Sequence, residues 1–98
     1  MTIKDILVQL ETSNNPVAKP IHKGDNFKVL AIGFKSGMKL KDHQANLPSR
    51  LTVISGKVIY RQPEKETELQ KFDEMDIPVN ITHSVEAMED SICLLTQG

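Results

Sequence analysis

Two histidines, His43 and His83, are the residues of this 98-residue chain best suited to chemistry. An imidazole can bind a divalent metal, exchange hydrogen bonds with a ligand, or change its charge near neutral pH. The first histidine lies between Gly37 and Gly56, and the second follows Pro78 after a short turn-like segment. What the two can do therefore depends on whether the surrounding elements bring them together.

Short strands dominate the pattern after residue 16. At spacings of about 8–12 residues they predict an all-β sandwich or barrel, and the lack of a strand–helix–strand rhythm favours a jelly-roll-like barrel. Ser55–Lys57, with a central glycine, predicts a tight hairpin between its flanking strands. The predicted strands cover residues 17–22, 27–34, 39–43, 50–54, 58–61, 67–70, 75–78, 83–87 and 91–96.

Residues 2 to about 11 predict a helix, with a strand through residues 6–8 as the alternative. Thr2 can cap the helix with Asp5 three positions later. Its apolar face consists of Ile3, Ile6, Leu7 and Leu10. The whole chain, residues 1–98, is interpreted as one domain, with the helix and a loop over residues 1–16 and a barrel over residues 17–98.

Composition excludes several kinds of partner. Twelve basic and thirteen acidic residues with only four aromatic ones argue against a nucleic-acid surface. No apolar run approaches a membrane span and no early segment is typical of a signal peptide, so a cytoplasmic location is expected. Cys93 is the only cysteine, which rules out an intramolecular disulfide, and its apolar surroundings predict a buried core position.

The segment around the first histidine resembles the first signature motif of the cupin family. Gly37, His43 and Gly56 occupy positions that match the motif. Ala45 stands where the family has a second histidine, and Ser49 stands where it has a glutamate. The glycines suit turns that need positive φ or close backbone approach.

The segment around the second histidine resembles the second cupin motif. Pro78 and His83 match, Phe72 and Asn80 replace glycines, and Ala87 replaces the final asparagine. Asparagine accepts a left-handed backbone, and proline ends a strand before the turn. The two motifs together extend the resemblance over residues 27–96 and imply a cupin-type jelly-roll β-barrel with a short N-terminal helix.

Cupins that hold a metal typically use three histidines and one glutamate. By that resemblance this chain offers only His43 and His83, with His22 on the predicted edge strand as a possible third ligand. Two imidazoles can hold zinc, nickel, iron or copper loosely, whereas catalytic zinc prefers three protein ligands. We therefore expect either no cofactor or a weakly bound divalent metal.

Strand alternation predicts which side chains share the interior. The strand before the central turn sends Ser49 inward together with Leu51 and Val53, and Tyr60 joins them after the turn. The predicted pocket is mostly aliphatic, and Asp42 should point away from it. Its polar points, and the candidate ligand-binding residues, are His43, His83, Ser49 and Tyr60.

The sequence is compatible with three functions. The first is binding of a small polar or anionic ligand in the barrel without catalysis. The second is a metal-dependent cupin enzyme of oxygenase, isomerase or lyase type, with His43 and His83 as ligands. The third is a scaffold role in a homodimer, whose contact would use the helix-like start of the chain and the outward-facing Ile54 and Ile59.

Overall fold

A computed structural model describes all residues, 1–98. One helix, α1, is followed by nine strands, and every predicted strand is present with ends within two residues of the prediction. The elements are α1 (Thr2–Leu10), β1 (Val17–Lys23), β2 (Lys28–Phe34), β3 (Lys39–His43), β4 (Ser49–Ser55), β5 (Lys57–Gln62), β6 (Lys65–Gln70), β7 (Glu74–Ile77), β8 (His83–Ala87) and β9 (Ser91–Gln97).

The strands form two antiparallel sheets that enclose the core. The first sheet has the order β1-β2-β9-β4-β7, and the second has the order β3-β8-β5-β6. β1, which contains Pro20, lies at an edge, where a residue without an N–H is tolerated. The all-β class, the jelly-roll barrel and the short N-terminal helix are therefore confirmed.

Inward-facing side chains of both sheets meet in one apolar core. Leu51 and Val53 of β4 face Val58 and Tyr60 of β5, and all four are buried, as alternation predicts. Cys93 on β9 is also fully buried, which confirms its predicted core position. The rest of this cluster is Ile32, Phe34, Leu69, Ile77, Val85 and Ala87.

The predicted hairpin at Ser55–Lys57 is wrong. Gly56 adopts φ 87°, but β4 and β5 belong to different sheets, so the chain crosses between sheets here. The two sides of β4 are occupied by β9 and β7, which leaves no edge for β5. The tight hairpin is instead the next one, between β5 and β6, where Gln62 is paired with Lys65.

Helix α1 covers part of the outer face of the first sheet. Ile6 and Leu10 are buried and pack with Ala31 of β2. The predicted Thr2 cap is wrong, because Met1 occupies the N-cap position and no side chain caps the helix. The helix has neither the length nor the apolarity needed to span a membrane.

Candidate functional site

His43 and His83 lie side by side at one end of the second sheet. They end β3 and begin β8, and the antiparallel register pairs them directly. Their ring centroids are 4.2 Å apart with the planes inclined by 59°. The structure thus brings together the two imidazoles that the sequence singled out.

A β-bulge sets this pairing. Leu40 is paired with Val85, but the next paired residue on β3 is His43, so the register shifts between Leu40 and His43. In a regular antiparallel ladder each residue forward on β3 is matched by one residue back on β8, so Asp42 would stand opposite His83. The extra residue gives that place to His43 instead.

Both imidazoles are fixed by the backbone two residues earlier in the chain. Nδ1 of His43 lies 2.8 Å from the carbonyl oxygen of Lys41, and Nδ1 of His83 lies 3.0 Å from that of Ile81. Since a carbonyl only accepts, each Nδ1 carries the proton and donates it. A neutral ring held in this way presents its Nε2 lone pair to a ligand.

The two rings differ in their access to water. His43 is exposed, whereas only 3% of the surface of His83 is exposed. Nε2 of His83 makes no hydrogen bond within the chain. All side-chain nitrogen and oxygen atoms that are fully shielded from solvent do make one, so Nε2 is not fully shielded. The small exposed area of His83 therefore includes Nε2, beside the His43 ring.

Tyr60 forms the inner wall behind His83. Its ring is nearly parallel to that of His83, inclined by 24° with centroids 5.4 Å apart. Burial raises the pKa of the Tyr60 phenol, and its hydroxyl donates to Oε1 of Gln62 at 3.0 Å. Tyr60 is therefore a neutral wall residue at physiological pH rather than a charged one.

Burial also lowers the pKa of His83. The hydrogen bond to Ile81 opposes this effect, and of the two nearby charges that of His43 lowers the pKa and that of Asp42 raises it. The ring is consequently neutral at pH 7, since its pKa lies below the ordinary value of about 6.5. A neutral ring with a bonded Nδ1–H is a hydrogen-bond acceptor or a metal ligand, not an anion site.

Ser49 is buried but its hydroxyl is committed elsewhere. It donates to the carbonyl of Leu47 at 3.0 Å and accepts from Nε2 of Gln97 at 3.2 Å. These bonds lie within the first sheet and its loop, whereas His43 and His83 belong to the second. Ser49 therefore ties the start of β4 to the end of β9.

His22 lies apart from the pair. It is exposed on β1, and its ring stands 5.6 Å from that of Phe27. No group of three or more histidine, cysteine, aspartate or glutamate side chains in the chain is arranged to hold a metal ion. Two imidazoles fall short of the three protein ligands that catalytic zinc uses.

The sequence did not reveal a hydrogen bond between the residues next to the two histidines. Nε2 of Gln44 donates to Oγ1 of Thr82 at 3.1 Å, although the two residues are 38 positions apart. Gln44 follows His43 and Thr82 precedes His83, so this bond holds the two strand ends together. The only signal in the sequence was that a polar residue adjoins each histidine.

Comparison with solved structures identifies the fold. A cupin superfamily protein from Desulfitobacterium hafniense superposes with a TM-score of 0.80 at 12% identity, covering 87% of this chain and 78% of that one. An RmlC-like cupin from Desulfovibrio desulfuricans gives 0.77 at 24% identity, over 84% and 80%. A cupin 2 conserved barrel domain protein from Leptotrichia buccalis gives 0.79 at 26% identity, over 88% of this chain and 42% of that one.

The chain is thus a cupin-fold protein with RmlC-like and cupin 2 structural neighbours, as its two motifs suggested. No protein-family model matches the sequence, and no curated protein is detectably similar to it.

Proposed function

We propose that this cupin-fold chain binds a small polar ligand at the paired imidazoles of His43 and His83. The observation that carries the proposal is the common anchoring of both Nδ1 atoms to backbone carbonyls, which leaves two Nε2 acceptors side by side. A ligand with hydroxyl or N–H donors suits this pair of acceptors. An anion would require a protonated imidazole, which the lowered pKa of His83 disfavours at pH 7.

The ligand would enter the site only partly. None of the four cavities of the chain is lined by His43 or His83, and the interior behind His83 is filled by Tyr60 and its neighbours. The exposed ring of His43 forms the rim and the covered ring of His83 forms the floor. A donor group reaching two acceptors at this rim is more compatible with the geometry than a ligand enclosed by the barrel.

A thermal-shift screen of small polar metabolites against the full chain, purified without a histidine tag, tests the proposal. A ligand at a hundred times its Kd should stabilise the fold by about 2.7 kcal/mol. His43→Ala should abolish the shift. His22→Ala is the matched control, because it removes an exposed histidine outside the pair, and it should leave the shift unchanged. A shift that survives His43→Ala, or no shift with any compound, would remove the proposal.

A metal-dependent enzyme of oxygenase, isomerase or lyase type is the second candidate. The free Nε2 atoms favour it, because imidazoles that bind metals usually donate their other N–H to a carbonyl or carboxylate. The missing third protein ligand counts against it. Elemental analysis of untagged protein decides: stoichiometric metal lost in His43→Ala supports this candidate, and metal content unaffected by the substitution removes it.

The homodimer also stays a proposal. Ile54 and Ile59 are only partly buried, and Leu7 and Val8 of α1 are exposed. Apolar side chains on the surface are the usual material of a contact between two copies. Sedimentation at micromolar concentration should give twice the mass of one chain, and a monomer would end this proposal.

A further inference from the structure

A small polar cavity lies on the opposite face of the sheet that carries the two histidines. It has a volume of about 270 Å³, and Pro63 is the one apolar side chain in its lining. Drug-sized ligands occupy cavities of roughly 300–1,000 Å³, so an occupant here is smaller. The lining includes Lys39, Asp42, Arg61, Gln62, Thr82 and Ser84.

The bulge in β3 creates this cavity. Lys39 and Asp42 are three residues apart, and in a regular strand their side chains would point to opposite faces. The register shift between Leu40 and His43 turns Asp42 to the same face as Lys39. On the neighbouring strands, Arg61 of β5 is paired with Ser84 of β8, which completes the wall.

Ser84 marks the cavity as a place for a ligand. It is only 2% exposed, and its hydroxyl makes no hydrogen bond within the chain. Every side-chain oxygen shut off from solvent does have a partner, so the hydroxyl must open into the cavity that Ser84 lines. A nearly buried hydroxyl without a protein partner is completed by a ligand or by water.

The charges around the cavity indicate what that ligand would be. Arg61 is already committed, since it donates to Glu66 at 2.8 Å and to Glu86 at 2.6 Å, and these two carboxylates more than balance its charge. Lys39 and Asp42 make no ion pair, although both line the cavity. One unpaired cation, one unpaired anion and the Ser84 hydroxyl match a molecule with a carboxylate and an ammonium group.

We propose that this outer cavity binds a small zwitterion of amino-acid size. Lys39 would bind its carboxylate, Asp42 its ammonium group, and Ser84 would hydrogen-bond to the carboxylate. The site is separate from the proposed site at the histidines and does not depend on it. The two sites nevertheless lie on opposite faces of the same three strands, because neighbouring residues of each strand serve the two sites. The neighbours are Asp42 and His43, Ser84 and His83, and Arg61 and Tyr60.

Titration of the ¹⁵N-labelled full chain with L-alanine, followed by amide chemical shifts, tests the proposal. Saturable shifts are expected at Asp42, Arg61 and Ser84. Sodium acetate and methylammonium chloride, which carry one charge each, should produce no saturable shift at the same ionic strength. Asp42→Asn and Ser84→Ala should each weaken L-alanine binding at least tenfold.

Two controls separate this site from other effects. Thr52→Ala, on the first sheet, should leave L-alanine binding unchanged. His43→Ala should also leave it unchanged, so loss of the proposed function would not be mistaken for loss of this site. Absence of saturable shifts, equal binding by acetate, or undiminished binding in Asp42→Asn would each overturn the proposal.

Discussion

At the scale of single residues, Phe72 is the clearest conflict between side chain and backbone. It follows β6 with φ 72°, in the left-handed region, and 73% of its surface is exposed. The Lys71 ammonium lies 4.9 Å from its ring centroid, which offsets only part of the strain. Asn80, the other residue that replaces a motif glycine, has φ 61° but belongs to a type that tolerates it.

We expect Phe72→Gly to be more stable than Phe72→Ala by about 1 kcal/mol, because alanine keeps the left-handed strain that glycine removes. Urea unfolding of both variants measures the difference in free energy of unfolding. Glu68, exposed within β6, supplies the control pair, in which the alanine variant should be the more stable one. If the alanine variant were the more stable one at position 72 as well, the backbone at Phe72 would not be strained.

Cys93 allows a second prediction at this scale. It is fully buried on β9, and burial raises the pKa of its thiol to about 12. Since the thiolate is the reactive form, a disulfide reagent should modify the native protein only as fast as the chain unfolds. The reaction should become rapid in denaturant, and rapid modification under native conditions would show that the thiol is accessible.

At the scale of elements, the docking of α1 depends on Gly33. A Cβ atom at this position would collide with Ile6 and Leu10, the two buried residues of the helix. Gly33→Ala should therefore lower the free energy of unfolding by about 1–3 kcal/mol, the usual range for overpacking. It should also speed proteolysis within residues 1–16, because the helix is pushed off the sheet.

Gly37→Ala is the control for this prediction. Gly37 has φ 87° with open space around it, so alanine there adds backbone strain without disturbing α1. It should lose roughly 1 kcal/mol of stability and leave proteolysis of the N-terminal segment unchanged. If Gly33→Ala and Gly37→Ala speed proteolysis within residues 1–16 equally, the packing of α1 does not depend on Gly33.

The elements also show where prediction from the sequence succeeds. Strand positions and inward faces follow from local alternation, and Gly37, Gly56 and Asn80 have the positive φ that their motif positions imply. Pairing partners do not follow from local pattern. The glycine turn at Gly56 was correctly placed, but which strands it joins depends on β9 and β7, which come later in the chain.

In the candidate site, too, local pattern was predictable and contacts between distant residues were not. The motifs predicted that His43 would meet His83, and alternation predicted Tyr60 beside them, but the direct pairing of the two histidines depends on the bulge in β3. The bonds of Ser49 to Gln97 and of Gln44 to Thr82 could not be predicted, since they span 48 and 38 residues. The outer cavity depends on a one-residue bulge, which no periodicity in the sequence specifies.

At the scale of the whole molecule, the buried His83 makes stability depend on pH. Its pKa in the folded chain is lowered by burial, while in the unfolded chain it is about 6.5. As pH falls below about 6.5, the unfolded state takes up a proton that the folded state resists. The free energy of unfolding should then fall, by at most about 1.4 kcal/mol per pH unit for one proton.

Urea unfolding between pH 7 and 5 measures this slope before most carboxylates titrate. His83→Asn should flatten it, because the titrating group is gone, while His22→Asn, at an exposed position, should keep it. If His83→Asn keeps the wild-type slope, the covered imidazole is not what links folding to pH.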